Sequence, residues 1–255
     1  MARLNNVSLF GIVAEDPIII MDDATGSYKK GQAFLIVASA NRENGISTNV
    51  FYSKPFLYSE DPDIVAEMSN WKKNDLVSAK GVITTLNANK GTICAHCHEK
   101  SSRPGEVSLI TPIYIETRYT GLEEKEATRI LNEKREISNQ VYLLGSLCDD
   151  VNGRKESTIY KDIISQSSYK GIAAYQIAVD RKYYLKQDVP TNRTDYPHII
   201  SVGAKAEQDL KCIHKGSMVL VDGMVVTREF RRTVTCPHCG KQFDWPEKVL
   251  EVLTF

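Results

Sequence analysis

The chain repeats itself, and each copy carries a Cys-x-x-Cys at the same place. Residues 6–16 (NVSLFGIVAED) line up with residues 140–150 (QVYLLGSLCDD), and residues 75–85 (DLVSAKGVITT) with residues 217–227 (SMVLVDGMVVT). The run Cys94-Ala95-His96-Cys97 follows the first of these later segments, and Cys236-Pro237-His238-Cys239 follows the second. A duplication of this length means two copies of one structural unit, each burying its apolar residues in the same way.

At 255 residues the chain is long enough for two domains, each with its own core. Hydrophobic content of 42% and charged content of 25% are those of a globular protein. No apolar run approaches the roughly 20 residues that span a bilayer. The start of the chain enters a strand pattern with no secretory core. A cytoplasmic protein with no membrane segment is expected, and there the 6 cysteines read as thiols or metal ligands rather than disulfides. Basic and acidic residues balance at 32 each, so nucleic-acid binding would have to come from a local groove.

Both copies read as short strands. Residues 7–11 and 141–145 open them, residues 33–38 have their counterpart in 174–179, and a third strand covers residues 51–58 and 196–202. Pro55 and Pro197 sit inside that third strand, which predicts an edge or a bulge there. A short helix follows. Asp61 and Pro62 make a helix start, and Ile64, Met68 and Trp71 recur at helical spacing, as do Ala206, Leu210 and Ile213. A long hairpin with the Cys-x-x-Cys near its turn closes each copy, over residues 76–115 and 218–255. Between the copies, residues 122–136 read as a charged amphipathic helix, taken as a solvated linker. Five strands with a helix before the fourth is the order of an OB-fold. The expected fold is therefore mainly β, with two tandem OB-fold barrels (1–118 and 139–255) joined by a helical linker (119–138). The hairpin between the fourth and fifth strands of each barrel would carry the cysteines.

Strand alternation puts Arg228, Phe230 and Arg232 on one face. Guanidinium groups flanking a π-surface suit a single strand, whose bases stack on aromatics while arginines follow its phosphates. The plain alternative is an ordinary strand with Phe230 in the core. Tyr183 and Tyr184, with Arg181, Lys182 and Lys186, form a second cluster, and Tyr196 stands beside Pro197 and His198. The first copy offers Arg42, Phe51, Tyr52, Lys54 and Phe56. It has Leu86 and Ala88 where the second has Arg228 and Phe230, so the second copy should dominate binding. Trp71 reads as helix core.

Two Cys-x-x-Cys motifs at equivalent positions read as zinc ligation, which calls for four tetrahedral ligands. The simplest closure joins Cys94, Cys97, Cys236 and Cys239 in one site that pins the barrels together and sets their relative orientation. Without it the barrels would stay folded and move independently. The rivals are separate sites completed by His96 or His98 and by His238, or a site shared between subunits. Redox chemistry is disfavoured, because reactive pairs sit at helix N-termini. Cys148 and Cys212 read as core residues. No phosphate-cradling loop, nucleophile elbow or open metal site is present in the sequence, so a non-enzymatic protein is expected.

Residues 139–145 (NQVYLLG), 175–180 (YQIAVD), 199–207 (IISVGAKAE) and 215–223 (KGSMVLVDG) resemble the bacterial single-stranded DNA-binding protein family in order and spacing. The resemblance covers most of residues 139–230 and, more loosely, 5–86. It implies base stacking on Tyr196, Phe230 and Tyr183 or Tyr184 along a basic surface. Val202 is aliphatic where the family has an aromatic residue, the family's acidic tail is missing, and the cysteine hairpins are foreign to its pattern. A diverged tandem relative, from a phage or mobile element, fits these departures. The implied function is sequence-tolerant binding of single-stranded DNA in replication, recombination or mobile-element DNA processing, with proteins of those processes as partners. By the same analogy a homodimer would present the family's usual four barrels. The rival reading is a zinc-pinned OB-fold scaffold for RNA or a protein, which the neutral charge favours.

Overall fold

Two strands of the same sequence pattern, β1 (Leu4–Val13) and β8 (Asn139–Leu147), lie side by side and antiparallel at the centre of the molecule. The computed structural model describes residues 4–40, 50–154, 171–182, 184–186 and 193–254. Val7 faces Val141 across this junction. These two residues are equivalent in the repeat, so a local two-fold axis runs between them.

The first half continues with β2 (Ile18–Met21), β3 (Tyr28–Ala40), β4 (Val50–Ser53), β5 (Phe56–Ser59), α1 (Pro62–Met68), β6 (Leu76–Ile93) and β7 (Lys100–Tyr119). The connection holds α2 (Glu124–Glu133) and α3 (Arg135–Ser138). After β8 come β9 (Asn152–Arg154), β10 (Ile172–Asp180), β11 (Thr194–Asp195), β12 (His198–Val202), α4 (Gly203–Cys212), β13 (Met218–Thr235) and β14 (Gln242–Thr254). In the first half β1 pairs with β3 and β6, β6 with β7, β5 with β3, and β5 runs parallel to β7. The second half repeats the scheme with β8, β10, β13, β14 and β12. Each half thus closes its strands into a ring with one parallel contact, and the fold is mainly β, as the sequence predicts.

The repeat has a physical cause at several positions. A Cβ on Gly81 would stand 2.4 Å from the Thr111 carbonyl oxygen, and one on Gly223 would stand 2.3 Å from that of Leu253. No other residue fits where β6 or β13 approaches its hairpin partner this closely. Asn5 and Asn139 are a second matched pair. The Asn5 amide donates to Ile83 O (2.8 Å) and accepts from Ile83 N (2.9 Å), while Asn139 does the same with Val225 (2.8 Å each). Both are buried, and each supplies a ladder bond where β1 or β8 needs one. The prolines act as expected: strand pairing is interrupted at Lys54–Pro55 and at Tyr196–Pro197.

Three expectations are corrected. Leu35 N bonds to Pro55 O and Ile177 N to Pro197 O, so Leu35 matches Ile177 and Phe34 matches Gln176. The alignment of residues 33–38 with 174–179 is one position out, and a one-residue slip exchanges the faces of a strand. The linking helix is not solvated, because Ala127, Ile130 and Leu131 are buried against Phe10, Ile12 and Leu76. Cys212 is exposed and Cys148 only half-buried, so neither is a core residue. The helix start is as read, with the Asp61 carboxylate accepting from Asp63 N (3.0 Å), and Trp71 is fully buried. The main apolar core runs continuously through both halves, from Trp71 and Ile110 by way of Val7 and Val141 to Ile177 and Val252. Among the described residues no helix is long and apolar enough to cross a membrane.

Candidate metal centre and nucleic-acid interface

The two hairpin tips fold identically. Cys94 N donates to Glu99 O and His98 N to Cys94 O, both at 3.0 Å; Cys236 N donates to Lys241 O and Gly240 N to Cys236 O, also at 3.0 Å. Each turn ends in a left-handed residue, His98 (φ 60°) or Gly240 (φ 71°). The local two-fold brings the tips together, and the four cysteine Sγ atoms lie within 4.8 Å of one another. Cys94 Sγ is 3.7 Å from Cys239 Sγ, and Cys97 Sγ is 3.6 Å from Cys236 Sγ. A tetrahedron of sulfurs at about 2.3 Å from a metal has edges of about 3.8 Å, and these two sulfur pairs already stand at that spacing. Phe243, Val234 and Trp245 pack around the buried Cys94 and Cys236.

The thiols lie within hydrogen-bonding reach of one another, which moves Cys94 and Cys97 in opposite directions. Burial alone would raise the Cys94 pKa, but the backbone N–H groups of Cys97 and His96 and the thiols of Cys236 and Cys97 outweigh it and bring it to about 6. For Cys97 the backbone N–H of Glu99 favours the thiolate. Desolvation and the hydrogen bonds to Cys94, Cys236 and Cys239 prevail, and its pKa is pushed up to about 12. A metal would replace the shared protons. His96 makes no such site of its own: its Nε2 lies 3.2 Å from Gln242 O, tying one tip to the other. Among the described residues no histidine joins the sulfur cluster.

The aromatic and basic candidates are more dispersed. Phe230 is half-buried on β13 with the Arg228 guanidinium 5.1 Å from its ring centre. Arg228 is not free to follow phosphates, because Nε and Nη2 grip the Glu251 carboxylate at 2.9 and 2.7 Å. Arg232, 54% exposed, is the outward arginine of the pair. Tyr196 is partly exposed, and its backbone N bonds to Thr85 Oγ1 (2.9 Å) of the first half. Tyr184, 66% exposed, lies under the Arg193 guanidinium at 3.8 Å. Arg181 is buried on Asp195 (2.7 Å) and drops out of that cluster. Tyr183 and Arg42 lie outside the described residues.

In the first half, Phe51 is partly buried and packs against the second half's Ile172, Ile200 and Met224 cluster, so it is an inter-half contact. Lys54 holds the other end of this seam. Its Nζ stands 4.9 Å over the Phe34 ring and 3.1 Å from Glu15, and its backbone N donates to Thr227 Oγ1 (2.8 Å). Phe34 and Phe56 meet at a tilt of 42° with ring centres 5.0 Å apart. These rings, Lys54, Thr227 and Arg228 line an inter-half groove of about 520 Å³. Phe34 is not among the candidates read from the sequence, although alternation sets it on the face opposite the buried Leu35.

The fold is known. The whole chain superimposes on the single-stranded DNA binding protein from Thermus aquaticus, with 16% identity and a TM-score of 0.59, covering 100% of this chain and 92% of that one. A deletion variant of the same Thermus aquaticus protein gives 17% identity, a TM-score of 0.59 and coverage of 100% and 94%. No protein-family model and no curated protein matches the sequence.

Proposed function

We propose that the protein is a non-enzymatic single-stranded DNA-binding protein, built of two OB-fold barrels (1–118 and 139–255) that a zinc ion locks together at their hairpin tips. The observation that carries the DNA reading is the full-length likeness to the Thermus aquaticus single-stranded DNA binding protein. The inter-half seam of rings and cations adds to it: Phe34, Phe56 and Phe230 offer faces for bases, and Lys54 and Arg232 offer charge. Tyr184 and Tyr196 extend the same chemistry. Four thiols with no oxygen ligand select a soft, tetrahedral metal, for which zinc is the common choice. Action in the cytoplasm in replication, recombination or mobile-element DNA processing, and pairing of two chains to present four barrels, belong to the same reading.

A fluorescence titration with oligo-dT, duplex DNA and single-stranded RNA at low and high salt tests it. Tight, strongly salt-dependent binding of oligo-dT over duplex is the expected result. Equal affinity for duplex and single strand, or preference for RNA, would sink it and leave a zinc-pinned scaffold.

A further inference from the structure

We infer that the cleft between the two long hairpins is a phosphate-binding segment of the single strand's path, to which the first half supplies Lys90 and Arg103 and the second Arg232 and Phe230. This inference rests on the DNA reading above and names where the strand's backbone runs.

The argument begins with one buried carboxylate. Glu247 on β14 is the cross-strand neighbour of Phe230 and is 7% exposed. Lys90 Nζ makes a short ion pair with its Oε1, Arg103 Nη2 lies 2.6 Å from its Oε2, and Arg232 Nη1 stands 3.8 Å away. Lys90 and Arg103 are themselves paired neighbours on β6 and β7. Lys90 and Arg232 occupy equivalent places in the repeat, so the local two-fold aims both at one spot. The carboxylate there has no such equivalent, because Gly105 takes its place in the first half. A Cβ on Gly105 would come within 3.0 Å of the Lys90 side chain, so the glycine lets the lysine lie across the cleft.

The charges do not balance. The cleft, of about 370 Å³, is lined by the cations Lys90, Arg103, Arg232 and Lys248 against the carboxylates Glu106 and Glu247. Glu106 is further engaged by His198 Nε2 at 3.2 Å. One buried carboxylate orders cations from both halves without neutralising them, and an aromatic ring forms part of the same wall. A phosphodiester brings the anion this arrangement lacks, and its base has the Phe230 face to lie on. Glu247 is a positioning residue here: it holds Lys90 and Arg103 on the cleft wall and touches no nucleotide.

The test is titration of the full-length, metal-loaded protein with oligo-dT at several salt concentrations. Lys90→Gln, Arg103→Gln and Arg232→Gln should each weaken binding several-fold and reduce the slope of log K against log salt by about 0.7. Phe230→Ala should weaken binding about 5- to 100-fold and leave the slope unchanged. Lys125→Gln, an exposed charge change on α2, should alter neither. Lys90→Arg and Arg103→Lys keep the charge and must keep the slope, which guards against variants that merely misfold. Wild-type affinity and slope in all three glutamine variants, or lost slope in the charge-conserving ones, would overturn the cleft inference while the DNA reading stands. A wild-type protein that does not bind oligo-dT would instead overturn the reading beneath it.

Discussion

The two halves agree wherever the backbone must close and differ wherever a surface faces outward. Both have the asparagine that completes a ladder, the glycine at the closest strand approach and the cysteine turn. Yet Phe10, Ile12 and Leu76 of the first half lie beneath α2, whereas no helix among the described residues covers their equivalents Leu144, Ser146 and Met218. Met218 is 54% exposed and its neighbour Leu220 is 67% exposed. Phe230 and Glu247 of the cleft have Ala88 and Gly105 as their first-half equivalents. The shared positions answer to the fold and to the four-cysteine cluster, to which both halves contribute. The divergent ones are free of that demand, and they are where ligand contacts and further interfaces can differ.

The sharpest way to break the comparison is to remove one half's cysteines. Cys94→Ser with Cys97→Ser, and Cys236→Ser with Cys239→Ser, should each take the metal content from about one ion per chain to none, since thiolates from both tips are needed together. Half the metal surviving in either variant would mean that each tip builds its own site. This should be the largest loss of stability in the series. The halves will not move independently afterwards, contrary to the expectation from sequence, because β1 and β8 remain joined over six residue pairs. Small-angle scattering of the metal-free protein should match that of the loaded form at the resolution of the two barrels.

Next in size is Trp71→Ala. The ring is fully buried and its Nε1 donates to Thr117 Oγ1 (3.0 Å), so removal should cost about 3–5 kcal/mol in a denaturant melt without changing DNA affinity. Its equivalent Ile213 is only partly buried, and Ile213→Ala should cost less. Asn5→Ala and Asn139→Ala should then cost about 1–3 kcal/mol each, because each leaves a buried backbone N–H and carbonyl unpaired. The two losses should be equal, and a clear inequality would show that one half carries the fold.

Legibility in the sequence followed the range of the interaction. The strand order, the Asp61 cap, the interrupting prolines and the equivalence of the cysteine pairs are local or repeated signals, and the structure has each of them. The slip between residues 33–38 and 174–179 arose because both are apolar runs with little alternation, so nothing local distinguishes one register from the next. The buried side of α2 was readable in the spacing of Ala127, Ile130 and Leu131 but was outweighed by its charges. The ion pairs of Arg228 with Glu251 and of Arg103 with Glu247 were out of reach. The first depends on the register of a long hairpin, and the second on the two-fold that brings different halves together.

The smallest predicted effect separates the halves through Glu247, which Gly105 does not match. Burial alone would raise the pKa of this carboxyl, but Lys90 and Arg103 more than compensate and hold it below its ordinary 4.5. A carboxyl depressed on folding stabilises the native state above its unfolded pKa, and that contribution disappears as the pH falls through the lower folded value. Wild type should therefore melt above Glu247→Gln at pH 7, and the gap should narrow below about pH 4.5. Acid also protonates the thiols and releases metal, but it does so in both proteins, so the difference between their melting temperatures isolates the carboxylate. A gap that stays constant from pH 7 to pH 3 would mean that Glu247 acts through shape and not charge, and the asymmetry of the cleft would then lie in Phe230 alone.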